Sequence, residues 1–193
     1  MKRMLTTTAL AVALLLGISG CSNKEVQAPE DDFKCRIDGS LAPEWACGNV
    51  SETGVITAVG TAPLSKLGQG FSRREAMANG RSNLAQQIET LVKDKVETFT
   101  RATGVAEGEV ADKVSTQVSK QVAKVTLKGS KQIKYWQNPG TQDIYVLMSV
   151  DESAMNQEIV NSVKSSFKND DALWQQFQSK QALESLEKEF LGQ

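Results

Sequence analysis

Residues 72–102, SRREAMANGRSNLAQQIETLVKDKVETFTRA, decide the fold of this chain. Their apolar side chains recur at steps of three and four residues, at Leu84, Ile88, Val92, Val96 and Phe99. That spacing places them on one face of an α-helix. Ser72 and Glu75 have the spacing of an N-terminal capping box, and Thr103-Gly104 is a helix stop signal. The stretch therefore predicts one long amphipathic helix that packs against another layer.

A strand is predicted just upstream of this helix. Residues 54–61 (GVITAVGT) are rich in β-branched side chains and begin with glycine, which is typical of a strand. Ala76 and Gly80 carry little or no side chain, so this end of the helix is expected to lie close against a sheet. The glycines at 60–70 match neither GxxxxGK nor GxGxxG, and a phosphate-binding loop is therefore disfavoured.

Downstream of residue 104 the hydrophobic period changes from four to two. A helix over about 107–120 is predicted by a repeat every fourth residue, at Val110, Val114, Val118 and Val122. From Val122 onward one face is apolar, with Val125, Leu127, Ile133 and Tyr135. The other face is cationic and polar, with Lys124, Thr126, Lys128, Gln132 and Lys134. This alternation predicts a half-buried antiparallel strand whose cationic face is either solvated or binds an anion.

The remaining sequence predicts a hairpin turn and two helices. In the turn at 138–141 (NPGT), Pro139 presets the first central residue and Gly140 tolerates a positive φ at the second, leading into a strand over 144–150. Asp151 is expected to cap a third helix with a stripe of Met155, Ile159, Val163 and Phe167. A last helix from 169 lacks one clean heptad, so part of it is expected to dock and part to face a neighbour.

This order of elements predicts an α+β fold. We expect a small antiparallel sheet of about three strands, with the long helix and further helices packed on one face, plus a C-terminal helix. The predicted division of the chain begins with a signal peptide (1–20), an acylated tether (21–34) and a disulfide-closed lead-in segment (35–52). The α+β domain (53–168) and the C-terminal helix (169–193) follow.

The N-terminal residues resemble the signal of bacterial lipoproteins. Lys2 and Arg3 precede an apolar run over 4–17, and small residues lead into Cys21, whose thiol would be acylated after cleavage. The alternative, a transmembrane helix, needs about 20 apolar residues, more than this run offers. Two or more acyl chains anchor a protein stably. Ser22 stands where aspartate would retain many lipoproteins at the inner membrane, so we expect the outer membrane, with the domain facing the periplasm.

Cys35 and Cys47 remain once Cys21 is assigned to lipid attachment. In an oxidising compartment they predict one disulfide, closing a 13-residue loop. In the chain-entropy model such a loop stabilises the fold by roughly 3 kcal/mol. The alternative, a zinc site, lacks histidine and a second cysteine pair. Trp45, inside the loop, is expected to plug into the domain surface.

The amino-acid composition of the chain excludes or disfavours several classes of function. The chain has no histidine, which excludes serine–histidine and cysteine–histidine nucleophile systems and removes the commonest metal ligand. Loss of residues 1–20 takes Lys2 and Arg3 and leaves 20 basic against 23 acidic residues, a net charge of −3. Nucleic-acid binding is disfavoured, because it relies on a basic surface. We expect no cofactor, no metal and no catalytic residues.

Four stretches together resemble the LPP20 lipoprotein family. They are 43–45 (PEW), 58–62 (AVGTA), 76–85 (AMANGRSNLA) and 145–147 (YVL) before Asp151, within a region of resemblance over about 43–168. The resemblance implies a small envelope lipoprotein without known catalytic residues. The family includes outer-membrane proteins that build discs around the flagellar motor. The Cys35 and Cys47 pair departs from the family pattern.

Three kinds of function remain open. The leading hypothesis is an outer-membrane-anchored lipoprotein with a structural or protein-interaction role, whose partners are the lipid bilayer and either copies of itself or another envelope protein; a flagellar disc component is the more specific alternative. The second is a binding module for a small apolar or anionic ligand. The third, a carboxylate-dependent hydrolase of envelope polymers, has no marked carboxylate pair to support it.

Overall fold

The computed structural model describes residues 34–50 and 52–192. Cys21 and the predicted signal peptide lie outside these residues. The strands are β1 (Arg36–Ile37), β2 (Ser40–Leu41), β3 (Val55–Ala62), β4 (Lys131–Gln137) and β5 (Ile144–Asp151). The helices are α1 (Gln69–Thr103), α2 (Gly108–Thr126), α3 (Glu152–Lys168), α4 (Asp171–Ser179) and α5 (Ala182–Leu191), with 3₁₀ turns at Glu44–Cys47 and Leu127–Gly129.

The predicted α+β architecture is confirmed. Strands β3, β5 and β4 form an antiparallel sheet in that order, with β5 central, and β1 and β2 form a separate small hairpin. One face of the sheet belongs to the main core with the helices, through alternate residues of β3 and β5: Ala58, Ala62, Ile144, Val146, Met148 and Val150. The stripe of α1 that the sequence marks is fully buried in the same core, apart from Phe99 at 5% exposure.

The close approach of α1 to the sheet is also confirmed. A Cβ atom added at Gly80 would lie 2.7 Å from the Met148 Cγ and 3.2 Å from the Gly60 Cα. A Cβ added at Gly60 would collide with the carbonyl oxygen of Ala76 and the backbone of Gly80. Helix and strand therefore touch backbone to backbone, which only glycine permits.

The predicted capping box is wrong, because α1 begins earlier. Its N-cap is Gly68, at φ +92°, and Ser72 is completely buried inside the first turns of the helix. The Ser72 hydroxyl accepts a hydrogen bond from the backbone N–H of Ser65 at 2.7 Å, so it closes the preceding loop instead of capping the helix. The stop at Gly104, with φ +64°, is as predicted.

The strand predicted from Val122 onward is wrong for its first half. Helix α2 continues to Thr126, and a 3₁₀ turn follows, because Val122, Ala123 and Thr126 bury one helical face. Within β4 a register shift follows Gln132, which pairs with Met148, while Lys134 pairs with the adjacent Leu147. Neighbouring residues of β5 point to opposite faces, so Gln132 and Lys134 do too. A single cationic strand face therefore does not form.

The turn after β4 also differs from the prediction. The positive φ falls on Gln142, at +66°, and not on Gly140. The Asn138 side-chain oxygen accepts hydrogen bonds from the backbone N–H groups of Gly140 (2.8 Å) and Thr141 (3.3 Å). This side chain organises a longer loop before Ile144, in place of a two-residue turn.

The predicted final helix is two helices. Asp151 caps α3 as predicted, accepting from the N–H groups of Ser153 and Ala154. The chain then breaks at Gln181, with φ +51°, between α4 and α5. The break lets both short helices bury their apolar residues: Phe177, Ala182, Leu186 and Phe190 are at most 6% exposed. The apolar surface expected to face a neighbour is therefore largely used within the domain.

No helix in residues 34–50 and 52–192 has the combination of length and apolarity that crossing a bilayer requires.

Candidate functional site

The second face of the sheet is covered by the lead-in segment, residues 34–50. Trp45, at the start of its 3₁₀ turn, is 8% exposed and clusters with Ala46 and the fully buried Leu147 of β5. Partly buried side chains from both layers surround this cluster: Ile37, Ala42, Val50, Val59, Trp136 and Tyr145. The prediction that the Trp45 side chain packs into the domain surface is confirmed.

The lead-in segment is closed by a disulfide between Cys35 and Cys47, whose Cα atoms are 6.1 Å apart. Within the lead-in segment, the Glu44 carboxylate accepts hydrogen bonds from the Asn49 side-chain amide at 2.8 Å and from the Cys35 backbone N–H at 3.3 Å. The bond from Asn49, followed by that from Cys35, lowers the pKa of Glu44 below its ordinary value of 4.5. The carboxylate is therefore a structural acceptor that holds the two arms of the loop together.

A buried asparagine, which sequence reasoning missed, joins the lead-in segment to the sheet. Asn138 is completely buried, and its side-chain amide donates to the carbonyl oxygen of Ile37 at 3.1 Å. Asn138 precedes Pro139 in a stretch that reads as an ordinary turn, so no local signal marks the long-range bond. Its partner lies 101 residues away in the sequence.

Strand β4 is an edge of the three-stranded sheet. Its side chains Ile133 and Tyr135 are 37% and 39% exposed, which is high for large apolar groups in a strand. Side chains of α1 lie beside the strand: Arg73 donates to Gln132 at 2.9 Å, and its guanidinium lies 5.6 Å from the centre of the Tyr135 ring. An exposed edge offers backbone donors and acceptors to another extended chain.

The predicted lysines are dispersed around this edge. Lys134 forms an ion pair with Glu52 at 2.6 Å, on the face that carries Leu147. Lys124 lies in α2 and Lys128 in the following 3₁₀ turn. The site thus combines an edge strand that exposes Ile133 and Tyr135 with scattered cations, in place of one anion-binding face.

A cleft of about 440 Å³ lies between α2 and the junction of α3 with α4. Val110, Val114 and Leu173 supply its apolar lining, and charged and polar groups supply the rest, including Glu109, Lys113, Gln117 and Asp170. Ser166 also lines the cleft; it is 9% exposed, and its hydroxyl has no hydrogen-bond partner. A buried hydroxyl without a partner is costly, so it is a ready contact for a polar ligand group.

The described residues contain no group of side chains suited to hold a metal ion. No three cysteine, aspartate or glutamate side chains within 34–50 and 52–192 are grouped as a metal site would need. Asp151 has a pKa below its ordinary value of 3.8, caused first by the Ser153 hydroxyl and then by backbone N–H groups. Like Glu44, Asp151 therefore serves as a structural acceptor.

Comparison with known proteins identifies the family of this chain. No curated protein matches the chain significantly. The family model described as LPP20 lipoprotein matches residues 43–151, from the residue before the Trp45 turn to the end of β5. The matched region is more than half of the 193 residues. It contains the complete sheet, both contacting glycines and the long helix, and the chain accordingly belongs to the LPP20 lipoprotein family.

Proposed function

We propose that this chain is an outer-membrane lipoprotein, acylated at Cys21, that acts by protein interaction in the periplasm and not as an enzyme. Membership of a lipoprotein family supports the anchor, together with the resemblance of residues 1–21 to a lipoprotein signal. The observation that carries the interaction role is the edge position of β4, which has no second neighbouring strand among residues 34–50 and 52–192 and exposes Ile133 and Tyr135.

The edge strand is suited to strand addition by an extended segment of an envelope partner. Lys134 is already paired with Glu52, whereas Lys131 is exposed on the same strand. A segment of neutral or acidic side chains would complement Lys131. The partner is an extended segment of another envelope protein or of a second copy.

Site-specific photocrosslinking in intact cells tests this interaction. A photoreactive amino acid at position 133 or 135 is expected to give a discrete crosslinked product, whereas the same group at Thr98, an exposed position on α1, gives none. The additional mass distinguishes another protein from a second copy. Absence of any product specific to 133 and 135 would contradict the role of the edge.

Membrane fractionation tests the anchor separately. Cys21→Ser is expected to release the protein from the membrane fraction, because acylation requires the thiol. Ser22→Asp is expected to move it from the outer to the inner membrane. Unchanged outer-membrane recovery of both variants would refute lipid anchoring at Cys21, whatever the crosslinking shows.

A small-ligand role is the second candidate, and Ser166 in the α2–α4 cleft favours it. Native mass spectrometry of protein purified gently from its own host is expected to show a bound species that Ser166→Ala loses. Ser165→Ala, at the exposed neighbouring residue, is the matched control and retains it. An empty wild-type protein would remove this candidate.

A further inference from the structure

Three loops meet at one end of the sheet. The pairing of Ala62 with Ile144 places the loop after β3, residues 63–68, beside the start of β5. The turn at 138–143 joins the same end of β5 to β4. The β1–β2 hairpin is there as well, since a Cβ atom added at Gly140 would lie 3.2 Å from the Ser40 hydroxyl. We call this end of the domain, formed by residues 63–68, the turn at 138–143 and the β1–β2 hairpin, the loop end.

The loop end displays unusually exposed leucines. Leu67 is 74% exposed, Leu41 in the hairpin is 52% exposed, and Leu64 is 44% exposed. They are the three most exposed large apolar side chains in the described part of the chain. Protruding leucines are costly in water and are typical of contact surfaces.

The loop that carries Leu64 and Leu67 has a defined shape. Ser65 accepts from the backbone N–H of Gly68 at 2.9 Å and, through its hydroxyl, from the N–H of Leu67 at 3.1 Å. The N–H of Ser65 in turn donates to the buried Ser72 hydroxyl. These bonds tie the loop to α1 and hold Leu67 outward.

We propose that the loop end rests on the membrane surface, with Leu41, Leu64 and Leu67 inserted at the level of the lipid headgroups. This inference rests on the proposed anchoring at Cys21. Lys66 and Arg74 are exposed at the same end and can contact lipid phosphates, while Asp38 and Asp143 balance these two charges, so the leucines supply the main contact. Apolar side chains beside basic ones are the usual composition of an interfacial contact.

The position of the anchor selects this end of the molecule. Lys34 directly precedes the hairpin that forms part of the loop end, and 12 residues separate it from Cys21. Such a segment reaches at most about 45 Å when fully extended. Helix α1 starts at the loop end, where Gln69 donates to Gln137 at 2.9 Å, and its 35 residues extend about 52 Å. The segment from Cys21 therefore joins the domain next to the loop end and is long enough for that end to lie on the bilayer.

Spin labelling of the acylated full-length mature protein in phosphatidylcholine–phosphatidylglycerol vesicles tests the contact. A nitroxide attached through Leu67→Cys is expected to be more accessible to oxygen than to a water-soluble nickel complex. A nitroxide attached through Val125→Cys, at an exposed apolar residue of α2, is expected to show the opposite preference. Equal aqueous accessibility at both positions, in protein shown to be acylated, would overturn the inference and leave the anchor intact.

Vesicle sedimentation of the unacylated Cys21→Ser mature chain tests the same surface without the anchor. We expect weak binding to the phosphatidylglycerol vesicles, reduced at least five-fold by Leu64→Ser with Leu67→Ser. The control, Val125→Ser with Leu183→Ser, removes two other exposed apolar side chains and is expected to retain binding. Equal binding of the two double variants would overturn the inference. Loss specific to the loop leucines would sustain the contact even if Cys21 proved not to be acylated.

Discussion

The two faces of the sheet are covered in different ways. On one face α1 brings a continuous apolar stripe, and Gly60 and Gly80 bring the backbones of strand and helix together. On the other face lies a short segment with little regular structure, which a disulfide closes on itself and which Trp45 and the bond from Asn138 to Ile37 hold on the sheet. The first cover is periodic and extensive, whereas the second depends on a few separate attachments.

This difference shows how each cover can fail. The face of the sheet that α1 covers is tightly packed. A larger side chain where α1 and the sheet are closest therefore disturbs the whole core. The lead-in segment can lose one attachment and detach locally, since protein regions open with different free energies. Substitutions in the two regions are therefore expected to differ in kind as well as in size.

The largest effect is expected at the helix contact. Gly60→Ala should destabilise the domain by at least about 3 kcal/mol or prevent folding, because the added methyl meets backbone atoms of α1 that cannot move aside. Urea denaturation of the unacylated mature chain measures it. Gly70→Ala, in the first turn of the same helix, is the control. Its added Cβ would lie 4.0 Å from the nearest atom, a guanidinium nitrogen of Arg74. A folded Gly60→Ala protein as stable as Gly70→Ala would contradict the close contact.

The next effect is expected on the outer face. Trp45→Ala should cost about 3 kcal/mol, because it removes the main side chain between the lead-in segment and Leu147. Hydrogen exchange should show faster exchange in residues 34–50, while the amides in the middle of α1 remain protected. Leu41→Ala, in the same segment but half exposed, should change stability by less than about 0.5 kcal/mol. Equal loss of protection in both regions would show that the two covers are one cooperative unit.

Features of the fold that arise from local sequence patterns were predicted, whereas those that depend on tertiary contacts were not. The stripe of α1, the glycine contact, the cap at Asp151 and the stop at Gly104 arise from local patterns, and all were predictable. The start of α1 was not, since Ser72 serves a loop that folds back on the helix. The region after Val122 was predicted as a strand but continues α2 to Thr126, because its mixture of lysines and apolar residues also fits a helix with one buried face. Periodicity cannot locate a strand bulge or a break such as Gln181.

The candidate site was predictable only where chemistry restricts the partners. Cys35 and Cys47 could be paired because the mature chain offers few alternatives. The bond between Asn138 and Ile37 could not be found, because neither residue type indicates a partner 101 positions away. The loop leucines were also missed, since exposure depends on which layers cover which residues.

Removal of the disulfide tests whether closure of the lead-in segment on itself keeps Trp45 docked on the sheet. Cys35→Ser with Cys47→Ser should destabilise the protein by up to roughly 3 kcal/mol, because the unfolded chain regains loop entropy. The cost should be clearly less than additive with that of Trp45→Ala, since both changes release the same segment. Additive losses in urea denaturation would show that Trp45 stays docked without the disulfide.

The smallest effect is expected from two carboxylates, one in each region. Glu44 closes the lead-in loop and Asp151 caps α3, and hydrogen bonds lower the pKa of both. A depressed folded-state pKa contributes stability above the unfolded value and loses it as the pH falls through the folded value. Glu44→Gln and Asp151→Asn should therefore be slightly less stable than wild type at pH 7, and the difference should close below the ordinary pKa values of 4.5 and 3.8.

The location of the change distinguishes the two carboxylates. Asp151→Asn should lower global stability in urea, because α3 contributes to the main core. Glu44→Gln should act mainly on hydrogen exchange within residues 34–50, because its two donors, Asn49 and Cys35, both belong to that segment. Asparagine remains a good N-cap, so the Asp151 variant isolates the charge from the cap geometry. A difference from wild type that persists unchanged at pH 3 would show that shape, and not ionisation, sets the effect.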